Sequence, residues 1–201
     1  MIELFAKTVL DVIKSKGYAT FEDRHPFDLN IFGVRSSSTT PNAFDDLVGV
    51  VYRDASLEWQ LEYWNATTDP GLYYLEHPMR TEGTAILVPG QYRGVYKLDY
   101  HRGKYIALCQ RSGRVKVYRD NNRDDVLDWN GDTSSGMYGI NIHRASSRGT
   151  STSVDKWSAG CQVIANPDDF DRLIALARTQ IEYHPTWSKF TYTLLEEADF
   201  E

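Results

Sequence analysis

The amino-acid sequence predicts a mainly β fold of the α+β class, and three observations lead to that prediction. Aromatic residues that favour strands and ligand grooves are abundant, with 13 tyrosines and 5 tryptophans. Short runs of alternating apolar and polar residues recur along the chain, separated by turn-forming residues. Two longer segments, one near each end, carry apolar residues at helical spacing. The content of 41% hydrophobic and 25% charged residues is typical of a folded globular protein.

Both predicted helices have recognisable end signals. The first is predicted over residues 2–16, where Phe5 and Val9 begin an apolar face and Gly17 follows the last turn. The second begins at Asn166, a capping residue followed by a proline and by two acids in the first turn. Its apolar face consists of Phe170, Leu173, Ile174, Ala177 and Ile181.

Nine segments are predicted as strands, and a polar stretch divides the chain. The stretch RSSSTTPN, residues 35–42, predicts a linker or a long loop. Residues 1–44 are therefore expected to form an N-terminal helix and extension, and residues 45–201 the main domain. Segments 105–110 and 114–118 are expected to pair as a hairpin. The predicted strands are 29–34, 48–53, 57–64, 85–88, 105–110, 114–118, 138–143, 161–164 and 189–195.

Composition also excludes several classes of partner. The net charge is −6 and no lysine or arginine block is long enough to follow a phosphate backbone, so no nucleic acid is expected. No apolar run approaches the roughly 20 residues that a membrane-spanning helix needs. No His or Cys pair has metal-ligand spacing, so neither a metal nor a cofactor is expected. The N-terminus lacks a basic start and a small-residue cleavage site, so the protein is expected to be cytoplasmic as synthesised.

Cys161 is the candidate nucleophile, and His143, which lies earlier in the chain, is its candidate base. The chain has only two cysteines, and both are expected to be free thiols. Only a thiolate attacks an acyl carbon efficiently, and a neutral histidine can accept the thiol proton. Cys109 lies in the middle of a predicted strand without such a partner, so it is expected to be a core residue.

Five further residues complete the predicted site. Gly160 allows the backbone to turn before the cysteine, so that nearby N–H groups and the Ser158 hydroxyl can face the oxyanion of an acyl intermediate. Asn141 shares a strand face with the base and is expected to contact either the substrate or the backbone. Arg144 is a candidate for binding a substrate carboxylate. Trp157 is a candidate wall that keeps water out.

A histidine at the end of a strand, a polar loop and the sequence Ser-Ala-Gly-Cys at 158–161 together resemble the catalytic domain of YkuD-type L,D-transpeptidases. Segments 68–71 and 87–92 look like strand-and-turn segments of that family, and the resemblance covers residues 45–180. It implies a β-sandwich that attacks an acyl group in the peptide stems of peptidoglycan. In this resemblance Cys161 is the nucleophile and His143 the base. The acyl-enzyme is then resolved by an amine, as in transpeptidation, or by water, as in L,D-carboxypeptidase or endopeptidase activity.

The sequence departs from that family at three positions: Ala159 replaces a common histidine, Val163 a common arginine or asparagine, and Arg144 a common glycine or serine. These departures favour an alternative, in which the fold is kept as a non-catalytic binding or structural module, for example in a phage virion. The retained Cys161–His143 pair favours catalysis. A wall-directed enzyme with no recognised secretory signal is expected to reach its substrate through phage lysis, a virion or effector secretion.

Overall fold

The computed structural model describes residues 4–129 and 131–201. The helices in these residues are α1 (Ala6–Ser15), α2 (Leu72–Glu76) and α3 (Pro167–Tyr183), and a short 3-10 helix covers Glu197–Phe200. The strands are β1 (Asn30–Arg35), β2 (Asp46–Arg53), β3 (Trp59–Thr67), β4 (Thr84–Leu87), β5 (Gly90–His101), β6 (Tyr105–Gln110), β7 (Val115–Asp120), β8 (Thr133–Gly136), β9 (Ile142–Arg144), β10 (Gln162–Ile164) and β11 (Phe190–Glu196).

The strands form two sheets. The larger sheet has the order β1-β11-β5-β6-β9-β10-β3-β2 and closes into a barrel, because β2 also pairs with β1. Its neighbouring strands are antiparallel, except that β1 is parallel to β11 and β9 is parallel to β10. The smaller sheet, β4-β7-β8, is antiparallel. The predicted mainly β, α+β fold, with an N-terminal helix and a helix after Cys161, is confirmed.

Helix α1 packs on strands of the barrel through its apolar face. It begins at Ala6, later than the predicted range of 2–16, of which residues 2 and 3 lie outside the described residues. Gly17 follows its end with a φ of 75°, a left-handed conformation that favours glycine. The buried residues of this contact are Val9, Leu10 and Ile13 of the helix and Phe32, Val34, Val51 and Leu195 of the strands.

Helix α3 begins as the sequence predicts. The Asn166 side chain accepts a hydrogen bond from the Asp168 N–H at 2.8 Å, which caps the first turn. Phe170 on its buried face contacts the Tyr105 ring of β6 edge-on, with ring centroids 6.0 Å apart. This contact fixes β6 beside the helix, and β6 in turn pairs with β9. The rest of the buried face, Leu173, Ile174, Leu176 and Ala177, belongs to the main core.

The predicted hairpin between residues 105–110 and 114–118 is wrong, although both segments contain strands. Strand β6 pairs with β5, which the sequence did not reveal, whereas β7 pairs with β4 and β8 in the smaller sheet. The N–H groups of Arg111 and Ser112 both donate to the Val95 carbonyl, at 3.1 and 3.0 Å. The chain therefore turns away at the end of β6 and crosses to the other sheet.

The N-terminal segment 1–44 contributes directly to the barrel. Strand β1, Asn30–Arg35, lies between β2 and β11, and Phe32 of β1 is opposite Gly49 of β2. A side chain at Gly49 would collide with the Phe32 ring, so glycine is required for this close approach. The extension and the main domain thus share one sheet.

Candidate functional site

The structure brings Cys161 and Asn141 into direct contact. Strands β9 and β10 are parallel neighbours, and Gln162 pairs with Ile142. Asn141 and Cys161, the residues directly before these two strands, therefore lie side by side. The Asn141 N–H lies 3.4 Å from the Cys161 sulfur, and that thiol faces the Gly139 carbonyl at 3.4 Å. Cys161 is partly exposed as a residue and directly precedes β10.

The segment 138–143, predicted as one strand, is regular only from Ile142 onward. Gly139 has a φ of 74°, so the segment does not follow the strict alternation of faces that the sequence predicted. The described segment is therefore not divided into one buried face and one exposed face. Ile140, Asn141, Ile142 and His143 are all buried.

Gln110, which sequence reasoning missed, replaces the strand partner that this irregular segment lacks. Its side-chain oxygen accepts hydrogen bonds from three consecutive N–H groups, those of residues 138, 139 and 140, at 3.1, 2.8 and 3.1 Å. Its amide nitrogen donates to the carbonyls of Gly113 and Gly136, both at 2.9 Å. The backbone N–H of Gln110 donates to the Asn141 side chain at 2.9 Å. One buried side chain thereby holds the backbone that faces the thiol.

His143 is held as a neutral base. Its Nδ1 lies 2.7 Å from the Arg144 carbonyl, an acceptor only, so Nδ1 carries the proton and Nε2 keeps a free lone pair. The Tyr105 hydroxyl contacts the same carbonyl at 3.3 Å. Burial, and next the nearby His101, lower the pKa of His143 to about 3. Among the described residues, no hydrogen bond joins the His143 ring to the Cys161 thiol.

His101 is a second histidine at the site, and sequence reasoning missed it. Its ring stacks on that of His143, with centroids 4.2 Å apart and an interplanar angle of 27°. Its Nδ1 lies 3.1 Å from the Asn141 amide nitrogen, which donates to it. Burial lowers the pKa of His101 to about 4, so both rings are neutral at pH 7. The contact joins the end of β5 to β9, two strands that are distant in sequence, so no local pattern predicts it.

Gly160 and Ser158 shape the turn that carries Cys161, the candidate nucleophile. Gly160 has a φ of 112°, and a side chain there would collide with the Ala85 carbonyl, so only glycine fits. The fully buried Ser158 hydroxyl accepts from the Gly160 N–H at 3.1 Å and donates to the Cys161 carbonyl at 2.8 Å. Ser158 therefore holds the turn. No described residue accepts a hydrogen bond from the Cys161 N–H, which leaves that group as the candidate oxyanion donor.

The two thiols differ in their surroundings. Burial raises the pKa of Cys161 above its ordinary value, and the Asn141 N–H and the Arg102 charge partly oppose that effect. Cys109 is fully buried, as expected of a core residue, and its thiol donates to the Asp99 carbonyl at 3.4 Å. Burial raises the pKa of Cys109 to about 11. Cys161 is therefore the more accessible thiol of the two.

Two of the remaining predicted residues line a cavity of about 440 Å³ beside His101 and His143. Arg144 and Trp157 both line it together with His143, and Trp157 is 43% exposed. The Arg144 guanidinium lies over the Tyr105 ring, 3.8 Å from its centroid. Asn141 does not line this cavity, because its side chain is engaged by Gln110 and His101. Its part in the site is to hold the backbone and the second histidine.

Neither the described residues nor known proteins assign this chain to a family. Within residues 4–129 and 131–201, no helix is both long and apolar enough to cross a bilayer. The same residues contain no group of three or more His, Cys, Asp or Glu side chains placed to hold a metal ion. No protein-family model, no curated protein and no solved structure matches the chain. A functional assignment therefore rests on the geometry of the residues around Cys161.

Proposed function

We propose that this protein is a cysteine acyltransferase or peptidase of the L,D-transpeptidase type that acts on the peptide stems of peptidoglycan. One observation carries the proposal: a partly exposed cysteine directly precedes β10, beside the strand that carries a buried, neutral histidine. The Arg144 carbonyl fixes the tautomer of His143, as the third member of a catalytic triad does. A purely structural cysteine needs neither arrangement.

The first half-reaction forms a thioester. The Cys161 proton passes to Nε2 of His143, and the sulfur attacks the carbonyl carbon of a stem peptide bond. The developing oxyanion is stabilised by the Cys161 N–H. The carbon–nitrogen bond then breaks, and the leaving amine takes the proton from His143. Because the two side chains are not hydrogen-bonded to one another in the described residues, the proton moves through a bridging water or after the site closes on substrate.

The second half-reaction resolves the thioester. An incoming amine or water loses a proton to Nε2 of His143 and attacks the same carbonyl carbon. The carbon–sulfur bond breaks, and the thiolate recovers its proton from His143. An amine acceptor gives a cross-link, whereas water gives carboxypeptidase or endopeptidase products. Since peptidoglycan lies outside the cytoplasm, this function implies a delivery route, for which phage lysis, a virion and effector secretion are the candidates.

The test is product analysis with purified stem peptides. We expect a cleaved or cross-linked product from the wild type and none from Cys161→Ala. We expect His143→Gln to lower kcat/KM by about 10²–10⁴-fold, the usual contribution of a general base. His77→Gln is the matched control, since His77 is exposed and does not line the cavity beside the bases, and it should retain wild-type activity. Equal activity of the wild type and Cys161→Ala would refute the proposal.

A non-catalytic binding module is the second candidate. It is favoured by the raised pKa of Cys161 and by the lack of a hydrogen bond between this thiol and His143 among the described residues. A folded wild-type protein that binds stem peptides and yields no product would favour this candidate over the enzyme. Binding is measured by equilibrium dialysis beside the product assay.

A further inference from the structure

The cavity beside His143 is lined by cations and by no carboxylate. Four of its ten lining residues are basic, and none is aspartate or glutamate. In the whole chain, 28 acidic residues outnumber 22 basic residues. In the lining of this cavity, basic residues outnumber acidic ones. The volume of about 440 Å³ is enough for one compact group of a ligand. The four cations are Arg102, Lys104, Arg144 and Lys156.

None of these cations is neutralised within the protein. No carboxylate oxygen of the described residues lies within 4.0 Å of any of the four, whereas Arg111 is paired with Asp99 at 2.6 Å nearby. Two of them are instead held by aromatic rings. The Arg144 guanidinium lies 3.8 Å from the centroid of Tyr105, and the Lys156 ammonium lies 4.1 Å from the centroid of Tyr73. Their positive charges are therefore positioned and available before any ligand binds.

A second cationic cavity is lined by other residues of the same two segments. It has a volume of about 360 Å³, and its lining includes Arg80 and Arg119 but no acidic residue. Ile140 and Ala159 line this second cavity, whereas His143 and Trp157 line the first. The two segments that carry the site residues therefore contribute to two basic cavities. Only the first of them contains the base that must meet an incoming nucleophile.

We propose that the cavity lined by Arg102, Lys104, Arg144 and Lys156 is a subsite for a carboxylate of the substrate. Arg144 offers a planar guanidinium that can bind both oxygens of a carboxylate, and Lys156 offers a second charge from the loop before Trp157. This subsite would select stem peptides whose carboxylates are free over those whose carboxylates are amidated. The inference deepens the proposed function and rests on stem peptides as the ligand.

The test is an equilibrium measurement that does not depend on catalysis. A stem tetrapeptide with free carboxylates and its fully amidated counterpart are titrated into Cys161→Ala protein, and heat or Trp fluorescence gives the Kd. We expect the free acid to bind at least tenfold more tightly, although the net charge of −6 would by itself disfavour an anion. We also expect this preference to fall as the salt concentration rises.

Point variants locate the effect. Arg144→Gln and Lys156→Gln should each weaken binding of the free acid by about three- to tenfold and leave the amidated peptide unchanged. Arg148→Gln is the matched control, because Arg148 is exposed on the same loop and does not line the cavity. Equal binding of both peptides, no binding of either, or equal losses in Arg144→Gln and Arg148→Gln would overturn the subsite. Selective binding to Cys161→Ala protein, together with no thioester on the wild type exposed to the same peptide, would refute acyl transfer and leave the subsite standing.

Discussion

The rings of His101 and His143 stack with their centroids 4.2 Å apart, so the candidate base is packed against a second imidazole. Both rings are buried, at 6% and 4% exposure. Two protonated imidazoles at this distance would repel each other in a site that is also poorly solvated. The stack therefore keeps His143 neutral at pH 7.

The stack makes stability depend on pH in a definite direction. Both histidines protonate in the unfolded chain near pH 6.5, whereas burial lowers the pKa of His101 to about 4 and that of His143 to about 3 in the folded protein. Between pH 6.5 and 4 the unfolded state binds more protons, so the free energy of unfolding falls as the pH falls. From pH 7 to pH 5 we expect the wild type to lose about 2 kcal/mol more than His101→Gln, as measured by urea unfolding. Equal losses of unfolding free energy in the wild type and in His101→Gln would contradict the burial of His101 and His143 as a neutral pair.

The reactivity of Cys161 should rise with pH beyond the neutral range. Burial raises the pKa of this thiol, and His143 does not form an ion pair with it in the described residues. The rate of alkylation by iodoacetamide should therefore increase about tenfold per pH unit from pH 7 to pH 9, because only the thiolate reacts. Cys109→Ala serves as the control, since it removes the buried thiol and should leave this profile unchanged. A plateau below pH 8 would instead reveal a preformed thiolate–imidazolium pair.

Gln110 should be essential for the backbone that faces the thiol. Its replacement by alanine leaves three consecutive N–H groups and two carbonyls without their partners. We expect Gln110→Ala to lower the free energy of unfolding by about 2–4 kcal/mol, since each buried unsatisfied group costs about 1–3 kcal/mol and water relieves part of the loss. Gln60→Ala, at a half-buried position that bonds one aspartate, should cost less than about 1 kcal/mol. Similar losses in the two variants would show that the Gln110 hydrogen bonds contribute little.

Gly160 should tolerate no side chain. Alanine there would adopt an unfavourable positive φ and would also collide with the Ala85 carbonyl. Gly17→Ala is the matched variant, because Gly17 also has a positive φ but has open space around it. We expect Gly17→Ala to cost about 1–2 kcal/mol, and Gly160→Ala to cost about 1–3 kcal/mol more because of the collision. Thermal unfolding measures the loss of stability in each variant. Equal losses in Gly17→Ala and Gly160→Ala would mean that the backbone around Ala85 moves to accommodate the added methyl group.

The sequence predicted the parts of this molecule that local patterns encode. The cap at Asn166 follows from a short motif, whereas the residue that the structure places directly against Cys161 is Asn141 rather than His143. The partners of β6 and the roles of His101 and Gln110 did not follow, because they depend on which strands meet across the barrel. The segment 138–141 was misread as regular strand because Ile and Tyr alternate there with polar residues. The Gln110 side chain takes the place of a neighbouring strand beside residues 138–140. Such a contact leaves no periodic pattern in the sequence.

The most direct test of the account is the intact mass of the protein after brief exposure to stem tetrapeptides. We predict a mass increase equal to the acyl part of the stem in the wild type and in Cys109→Ala, and none in Cys161→Ala. That result would establish a thioester on Cys161 and identify the bond that is broken through the leaving group. The account would be contradicted by a folded wild-type protein, with Cys161 open to alkylation, that shows neither an adduct nor a product.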